Sequence, residues 1–268
     1  MRTVAITGAG SGIGAATADR LSRDGHRVIG VDLRGAEIEA DLGTPDGRRS
    51  AIDAVAEASG GALDGLITCA GISGFPGRPS SLLASVNYFG TVVLLEGLRP
   101  LLAKGDRPSA VAISSNSTTT APGYSLELTE ACLAGDEAEA RRVADEVAGE
   151  SMIEYAATKL AVARWVRATA VTPEWGGTGI RLNAIAPGMI ATPMIDEGNS
   201  DENLAKQLEM FKQTIALGRA GDPAEIAGLL AFLVGTESTF FCGSIIFCDG
   251  GTDALLRADD WPARWEIG

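Results

Sequence analysis

The sequence predicts an α/β protein built on one doubly wound parallel sheet of about seven strands, with helices on both faces. Three observations lead there. Short apolar, β-branched runs alternate with stretches of helical periodicity along nearly the whole chain. The first such run ends in a glycine cluster that passes directly into a helical pattern. The 268 residues contain no linker, internal repeat or low-complexity tract, so a single domain over 1–268 is expected.

The elements follow in order. The run from Val4 to Thr7 reads as a buried strand, and Gly8, Gly10, Gly12 and Gly14 follow before a helix through Leu21. Gly25 ends that helix, and a second strand is expected over 27–31, with Asp32 directly after it. A weak third strand covers 38–40 and leads to Asp41 and Leu42. Pro45 opens a helix to about Ala58. A fourth strand over 65–69 ends in Cys69, Ala70 and Gly71. One long helix is expected from 81 to 102, with Asn87 in its first half, then a fifth strand over 110–114. The stretch 126–150 is rich in Glu, Ala and Leu and predicts one or two surface helices inserted before the next long helix, 152–171. A sixth strand over 181–185 precedes a long excursion, 189–217, whose length suggests a segment that covers a site. Pro223 starts a helix to Val234, and a last strand over 244–248 turns at Asp249, Gly250 and Gly251. The tail from 257 to 268 has no strong pattern.

Charge narrows the function. Twenty-two basic against 35 acidic residues give a formal net charge of −13. No basic run is present, so nucleic acid and membrane surfaces are disfavoured as partners. The four cysteines lack C-x-x-C spacing and read as reduced, mostly buried thiols of a cytoplasmic protein. His26 is the single histidine, so no metal site is expected, and its place before a strand suggests a solvated turn.

A strand, a glycine turn and a helix present unpaired N–H groups and the positive end of a helix dipole to an anion. Glycine lets the backbone approach a pyrophosphate closely. The G-x-G-x-x-G dinucleotide pattern fails here, because Ile13 stands where its third glycine would be; the pattern present is T-G-x-x-x-G-x-G, with Ser11 inside it. Asp32 lies near the offset at which a carboxylate meets the adenine ribose hydroxyls. It would repel a 2′-phosphate, and Ser11 supplies no cation for one, so both favour NAD over NADP. Arg34 is the feature that points the other way.

Tyr155 and Lys159 lie four residues apart on one expected helix, on one face. Tyrosine titrates near 10, and using it as a base near neutrality means stabilising the phenolate by about 3–4 kcal/mol. A neighbouring ammonium and a cationic nicotinamide ring would both do that, which makes the Tyr–Lys pair a sensible proton-transfer device. Ser115, at the carboxyl end of a central strand, can hold a substrate oxygen beside the phenol; Ser114 and Ser117 are its neighbours and rivals. Asn87 is either a buried helix amide or a residue that opens its helix and orders a water beside Lys159.

These pieces together resemble the short-chain dehydrogenase/reductase family. T-G-A-G-S-G-I-G, Asp32, Asp41, C-A-G, N-Y-F-G, I-S-S, Y-A-A-T-K, N-A-I-A-P-G and D-G-G occur in the family's order and span nearly the whole chain. Ser115 is preferred over its rivals because its place in I-S-S matches the family's serine. The chain departs from the family at Thr68 and Cys69, where asparagines usually stand. Within the family, G-I-G-A-A-T, A-E-x-x-A-D-L, S-V-N-Y-F-G and the long stretch between Ser115 and Tyr155 are most similar to the bacterial 3α-hydroxysteroid dehydrogenase/carbonyl reductase branch. The resemblance implies a Rossmann-type fold and an NAD(H)-dependent exchange between a secondary alcohol and a ketone. Ser115, Tyr155, Lys159 and Asn87 would be catalytic. Gly8, Ser11, Gly12, Ile13, Gly14, Asp32, Leu33, Asp41, Leu42, Ala70 and Gly71 would line the cofactor with Tyr155 and Lys159, and Pro187, Gly188, Ile190 and Thr192 would border its nicotinamide. It also implies a homo-oligomer, a dimer or a tetramer; the insert, lying beside the helices through which members commonly associate, could block that interface, so a dimer is at least as expected as a tetramer.

The substrate is less constrained. Met189, Ile190, Met194, Leu208, Met210 and Phe211 suit either an apolar pocket for a steroid, terpenoid or aryl ketone, or plain packing of the 189–217 segment on the core. An aryl or lignin-type alcohol dehydrogenase is the alternative enzyme, carrier-bound 3-oxoacyl reduction fits the acidic chain poorly, and a non-catalytic nucleotide sensor is the alternative from outside enzymology.

Overall fold

Seven parallel strands form one sheet in the order β3-β2-β1-β4-β5-β6-β7. They are β1 (Thr3–Thr7), β2 (Arg27–Asp32), β3 (Ile38–Glu39), β4 (Gly65–Thr68), β5 (Ser109–Ile113), β6 (Arg181–Pro187) and β7 (Ile245–Cys248). In this computed structural model the chain is described over residues 1–74, 78–146, 151–198 and 202–260. Positions 147–150 of the expected insert, 199–201 of the expected covering segment and 261–268 of the tail lie outside the described residues.

Alternation along the strands makes two cores. Val4 and Ile6 of β1 pack with Val111, Ile113 and Ile185 against α1 (Gly12–Arg23) and α11 (Pro223–Val234), which supply Leu21, Ile226, Leu230 and Leu233. Ala5 points to the other face, where Leu66, Ala110 and Leu182 meet α2 (Pro45–Ala58), α4 (Gly90–Leu102) and α8 (Ser151–Thr169). Each fully buried Leu, Ile or Val contributes about 1.5–3 kcal/mol. The helix starts are written in the sequence: Thr44 caps α2 through the Gly47 N–H at 3.1 Å with Pro45 next to it, and Asp222 with Glu225 forms a capping box on α11.

Three elements differ from expectation. The long helix over 81–102 is interrupted. It runs as α3 (Ser80–Leu83), a π-turn (Ala84–Phe89) and then α4. The span from Ser80 to Leu102 is long and apolar enough to cross a membrane, but 72% of that window is buried inside the molecule, as a core helix is. The insert forms two helices, α6 (Leu126–Leu133) and α7 (Glu137–Glu146), and these are not surface additions. Leu128, Cys132, Ala140, Val143 and Ala144 are buried and belong to the core that covers α8. Short helices α5 (Ser117–Thr120) and α12 (Thr252–Leu256) were not anticipated, whereas the excursion after β6 carries α9 (Pro193–Gly198) and α10 (Glu202–Lys212).

His26 is half-buried rather than solvated, its Nδ1 accepting the Arg2 N–H at 3.3 Å. Of the four cysteines, which are all free, Cys132 alone is buried, Cys69 and Cys248 are half-buried and Cys242 is exposed, so the expectation of mostly buried thiols is corrected.

Candidate active site

The sheet reverses its winding between β1 and β4, and the crevice at their carboxyl ends is where ligands sit in open α/β folds. The glycine turn leaves β1 at this point. Gly8 has φ +72°, and a Cβ there would stand 2.7 Å from the Ala70 nitrogen. At Gly14 a Cβ would lie 2.0 Å from the Gly8 carbonyl oxygen. Glycine at these positions is therefore required by the close passage of backbone past backbone. Ser11, exposed at the N-cap of α1, makes no side-chain cap, so the first N–H groups of that helix face outward. Ile13 and Gly14 begin the helix beneath it, and Gly12 lies against Thr192, whose Cγ2 would be 3.2 Å from a Cβ there.

Asp32 ends β2 beside this turn. Its Oδ2 accepts the Gly10 N–H at 2.9 Å and its Oδ1 the Leu33 N–H at 2.6 Å. Leu33 is exposed beyond it, as is Arg34. Further along the same rim, Asp41 Oδ1 accepts the Gly43 N–H at 2.9 Å and Leu42 is buried. Ala70 donates its N–H to Thr7 Oγ1 at 3.1 Å and Cys69 its N–H to the Thr7 carbonyl at 3.2 Å. The end of β4 is thus held from β1 through Thr7, although Thr68 and Cys69 replace the family's asparagines; the Thr68 hydroxyl makes no hydrogen bond.

The candidate catalytic side chains converge on this crevice from β5 and α8. Ser115 lies near enough to the Tyr155 side chain to favour the ionised phenol. The other serines are engaged differently. Ser114 donates to the Lys159 carbonyl at 2.9 Å, tying β5 to α8, and Ser117 gives its backbone N–H to Ser115 Oγ at 3.1 Å. Lys159 Nζ lies 5.8 Å from the Tyr155 ring centroid and donates to the Ile113 carbonyl at 3.0 Å. Burial is the main influence on both groups. It pushes the Tyr155 phenol up, against the opposing influence of nearby Ser115, and brings Lys159 down from 10.5 to about 8 in spite of nearby Cys69. Within the protein itself, burial thus outweighs every influence that would favour the phenolate.

Asn87 sits in the π-turn, fully buried. Its Oδ1 accepts the Ile72 N–H at 2.8 Å, and its Nδ2 donates to the Ile72 carbonyl at 3.0 Å and to Thr158 Oγ1 at 3.4 Å. The amide side chain is thus engaged by the backbone after β4 and by Thr158. Gly71 has its own steric reason: a Cβ there would be 3.2 Å from Asn87 Oδ1 and 3.3 Å from Lys159 Nζ.

The opposite wall is Pro187, Gly188, Met189 and Ile190. Pro187 is buried at the end of β6, Gly188 passes so close to Asp249 that a Cβ would meet its Cα at 2.7 Å, and Ile190 bridges to Gly221. Met189 and Ile190 are buried, while Met210 is 69% exposed. Two contacts escaped the sequence reading. Asn116 donates to Asp249 Oδ2 at 3.4 Å, and Thr119 to Asp253 Oδ1 at 2.6 Å, so the turn after Ser115 is fastened to the segment beyond β7. The only sequence signal for this was the acidic D-G-G-T-D run itself.

Comparison with known proteins agrees with this geometry. Residues 2–125 match the short chain dehydrogenase family model and residues 142–253 the family model described as enoyl-(acyl carrier protein) reductase. The chain is 39% identical over 260 residues to the 3-alpha-hydroxysteroid dehydrogenase/carbonyl reductase of Comamonas testosteroni, covering 96% of this chain and 98% of that one. It is 32% identical to the coniferyl-alcohol dehydrogenase of Pseudomonas sp. (strain HR199 / DSM 7063), covering 93% and 96%. The crystal structure of the 3-alpha-hydroxysteroid dehydrogenase from Pseudomonas sp. B-0831 complexed with NADH superposes with a TM-score of 0.91 at 43% identity, covering 97% of this chain and all of that one. With its seven-stranded Rossmann-type sheet and relatives that match almost end to end, the chain is a short-chain dehydrogenase, an oxidoreductase of that family.

Proposed function

We propose that this enzyme interconverts a hydrophobic secondary alcohol and its ketone with NAD(H), and that 3-hydroxysteroids or 3-ketosteroids are representative substrates. The single observation that carries the reading is the convergence of Ser115, Tyr155 and Lys159 at the carboxyl end of the sheet, with Lys159 Nζ 5.8 Å from the Tyr155 ring centroid. The residues fit the cofactor. The uncapped start of α1 suits the pyrophosphate and the Asp32 carboxylate the adenine ribose, with Leu33, Asp41 and Leu42 along the adenine side. Ala70 and Gly71 present bare backbone to the riboses, and Pro187, Gly188, Ile190 and Thr192 border the carboxamide. The relative solved with NADH supports the choice of cofactor.

When bound, the nicotinamide supplies or accepts a hydride at the carbinol carbon. Ser115 holds the substrate oxygen, and Tyr155 exchanges a proton with that oxygen. Lys159 holds the nicotinamide ribose and adds positive charge beside the phenol, which burial otherwise keeps protonated. Asn87 acts by fixing the Ile72 backbone that borders Lys159. The relative active on coniferyl alcohol favours a second substrate reading, an aryl alcohol. The four free cysteines fit a reducing cytoplasm, and the insert, packed over the π-turn and α8, favours a dimer.

The decisive test replaces Tyr155 with Phe. NADH binding by fluorescence should persist while reduction of a ketone panel falls by roughly 10²–10⁴-fold. Unchanged turnover refutes the assignment, and the same panel scored with steroids, aryl ketones, NADH and NADPH separates the substrate readings.

A further inference from the structure

The insert helix α7 turns a polar stripe toward the site. Glu137, Arg141 and Asp145 are spaced one turn apart. Asp145 Oδ1 accepts the Ser81 N–H at 2.9 Å, and Arg141 Nη1 donates to Ser85 Oγ at 2.7 Å. Glu137 takes both terminal nitrogens of Arg48, Nη1 to Oε1 at 3.2 Å and Nη2 to Oε2. Ser81 and Ser85 are themselves one turn apart, so the two stripes match position by position.

Arg48 makes the connection unusual. Its side chain is only 3% exposed, and Nη1 also donates to the carbonyls of Leu42 at 3.2 Å and Ser85 at 3.3 Å. The Ser85 carbonyl is the one that accepts the Gly90 N–H, five residues on, and so closes the wide turn. In an α-helical register that N–H would go to residue 86. The Arg48 guanidinium thus adds a charge-assisted donor to the carbonyl at which the turn widens and ties the π-turn to α2 and α7. Asn87, two residues further, then reaches Ile72, and Gly71 beside it abuts Lys159. On its other side the insert grips α8 itself, where Thr129 Oγ1 donates to the Ala157 carbonyl at 3.3 Å, between Tyr155 and Lys159 in the chain. Glu137 and Arg141 fall between the two matched family regions, which stop at 125 and resume at 142.

We propose that the insert is a positioning element for catalysis: Glu137, acting through Arg48, and Arg141 hold the π-turn in the register that sets Asn87 against the backbone beside Lys159. This rests on the assignment of Tyr155 and Lys159 made above. Neither Glu137 nor Arg141 touches substrate or cofactor.

The test compares full-length Glu137→Gln, Arg141→Met, Arg141→Lys and Tyr155→Phe, each normalised to NADH-binding sites. Glu137→Gln and Arg141→Met should each lower kcat by roughly tenfold, as loss of support for a reacting group does, while KM for NADH stays near that of the parent. Arg141→Lys, which keeps a cation over Ser85, should recover most of the rate. Should Glu137→Gln not fold, Ser85→Ala removes an Arg141 contact from the other side without touching a charge, and the same fall in kcat is expected. Unchanged kcat in the folded variants overturns the proposal, as does a loss that tracks only with folded fraction or with KM for NADH. An active Tyr155→Phe enzyme overturns the underlying assignment instead, so the two failures are distinguishable.

Discussion

Replacing Lys159 with Met should make the protein more stable and inactive at once. Lys159 is 4% exposed, its Nζ hydrogen bonded to the Ile113 carbonyl at 3.0 Å, and burial lowers it from 10.5 to about 8. The unfolded chain exposes this lysine, which then titrates at its ordinary value. Below the folded-state value both forms are protonated, so folding carries the whole cost of burying the cation. As pH rises from about 8 toward 10.5 the folded lysine gives up its proton and the cost fades. At about 1.4 kcal/mol for each pH unit, the cost at neutral pH is roughly 3 kcal/mol. Methionine keeps the length of the stem but leaves the Ile113 carbonyl without that donor, which costs about 1 kcal/mol. The net gain of about 2 kcal/mol corresponds to a Tm rise of roughly 4–8 °C for a domain this size. The assay is thermal and urea denaturation of parent and variant from neutrality to pH about 10, beside a turnover measurement. A variant less stable at neutral pH, or a stability difference that does not shrink with rising pH, refutes the reasoning.

Three further outcomes are expected. Gly14→Ala should abolish measurable NADH binding, because its Cβ would stand 2.0 Å from the Gly8 oxygen where ordinary contact begins at 3.4 Å; an unchanged NADH fluorescence titration counts against the anion-site reading. Asp32→Asn should lower the preference for NADH over NADPH by roughly tenfold or more, the worth of a charge-assisted hydrogen bond, measured as a ratio of kcat/KM values. Mass measurement in solution should give a dimer, and a stable tetramer would remove the role given to the insert in blocking association.

The parts of the fold that could be read in the sequence are those set by local sterics and periodicity. Gly8 and Gly14 are required by backbone contacts, and Pro45 and Pro223 sit where helices α2 and α11 begin. The apolar runs gave all seven strands within a few residues because a parallel sheet buried on both faces leaves little room for polar side chains. The π-turn was signalled only by Asn87, read as either a buried helix amide or a residue that opens its helix, since an apolar pattern over 81–102 is the same for an α-helix and for one widened by a single register step. The burial of α6 and α7 was hidden. Their Glu-rich composition reads as solvated, but positions one turn apart carry small residues, Ala140 and Ala144, that let α7 lie close to the core. Among Ser114, Ser115 and Ser117 the residues' own pattern left the choice open and only the family resemblance favoured Ser115, because all three lie beyond the end of β5, where no strand alternation separates them. The Ile113 carbonyl that receives Lys159 carries no side-chain signal at all.

Cys69, standing where relatives place an amide, carries a consequence for handling the protein. Burial pushes its thiol up to about 12, so it stays protonated and a poor nucleophile at the floor of the cleft. Cys242, exposed at the far edge beside β7, is the sulfur that alkylating or oxidising reagents meet first. A labelling reagent should therefore decorate the molecule's rim while sparing its working interior, which gives a ready attachment point for a fluorescent reporter.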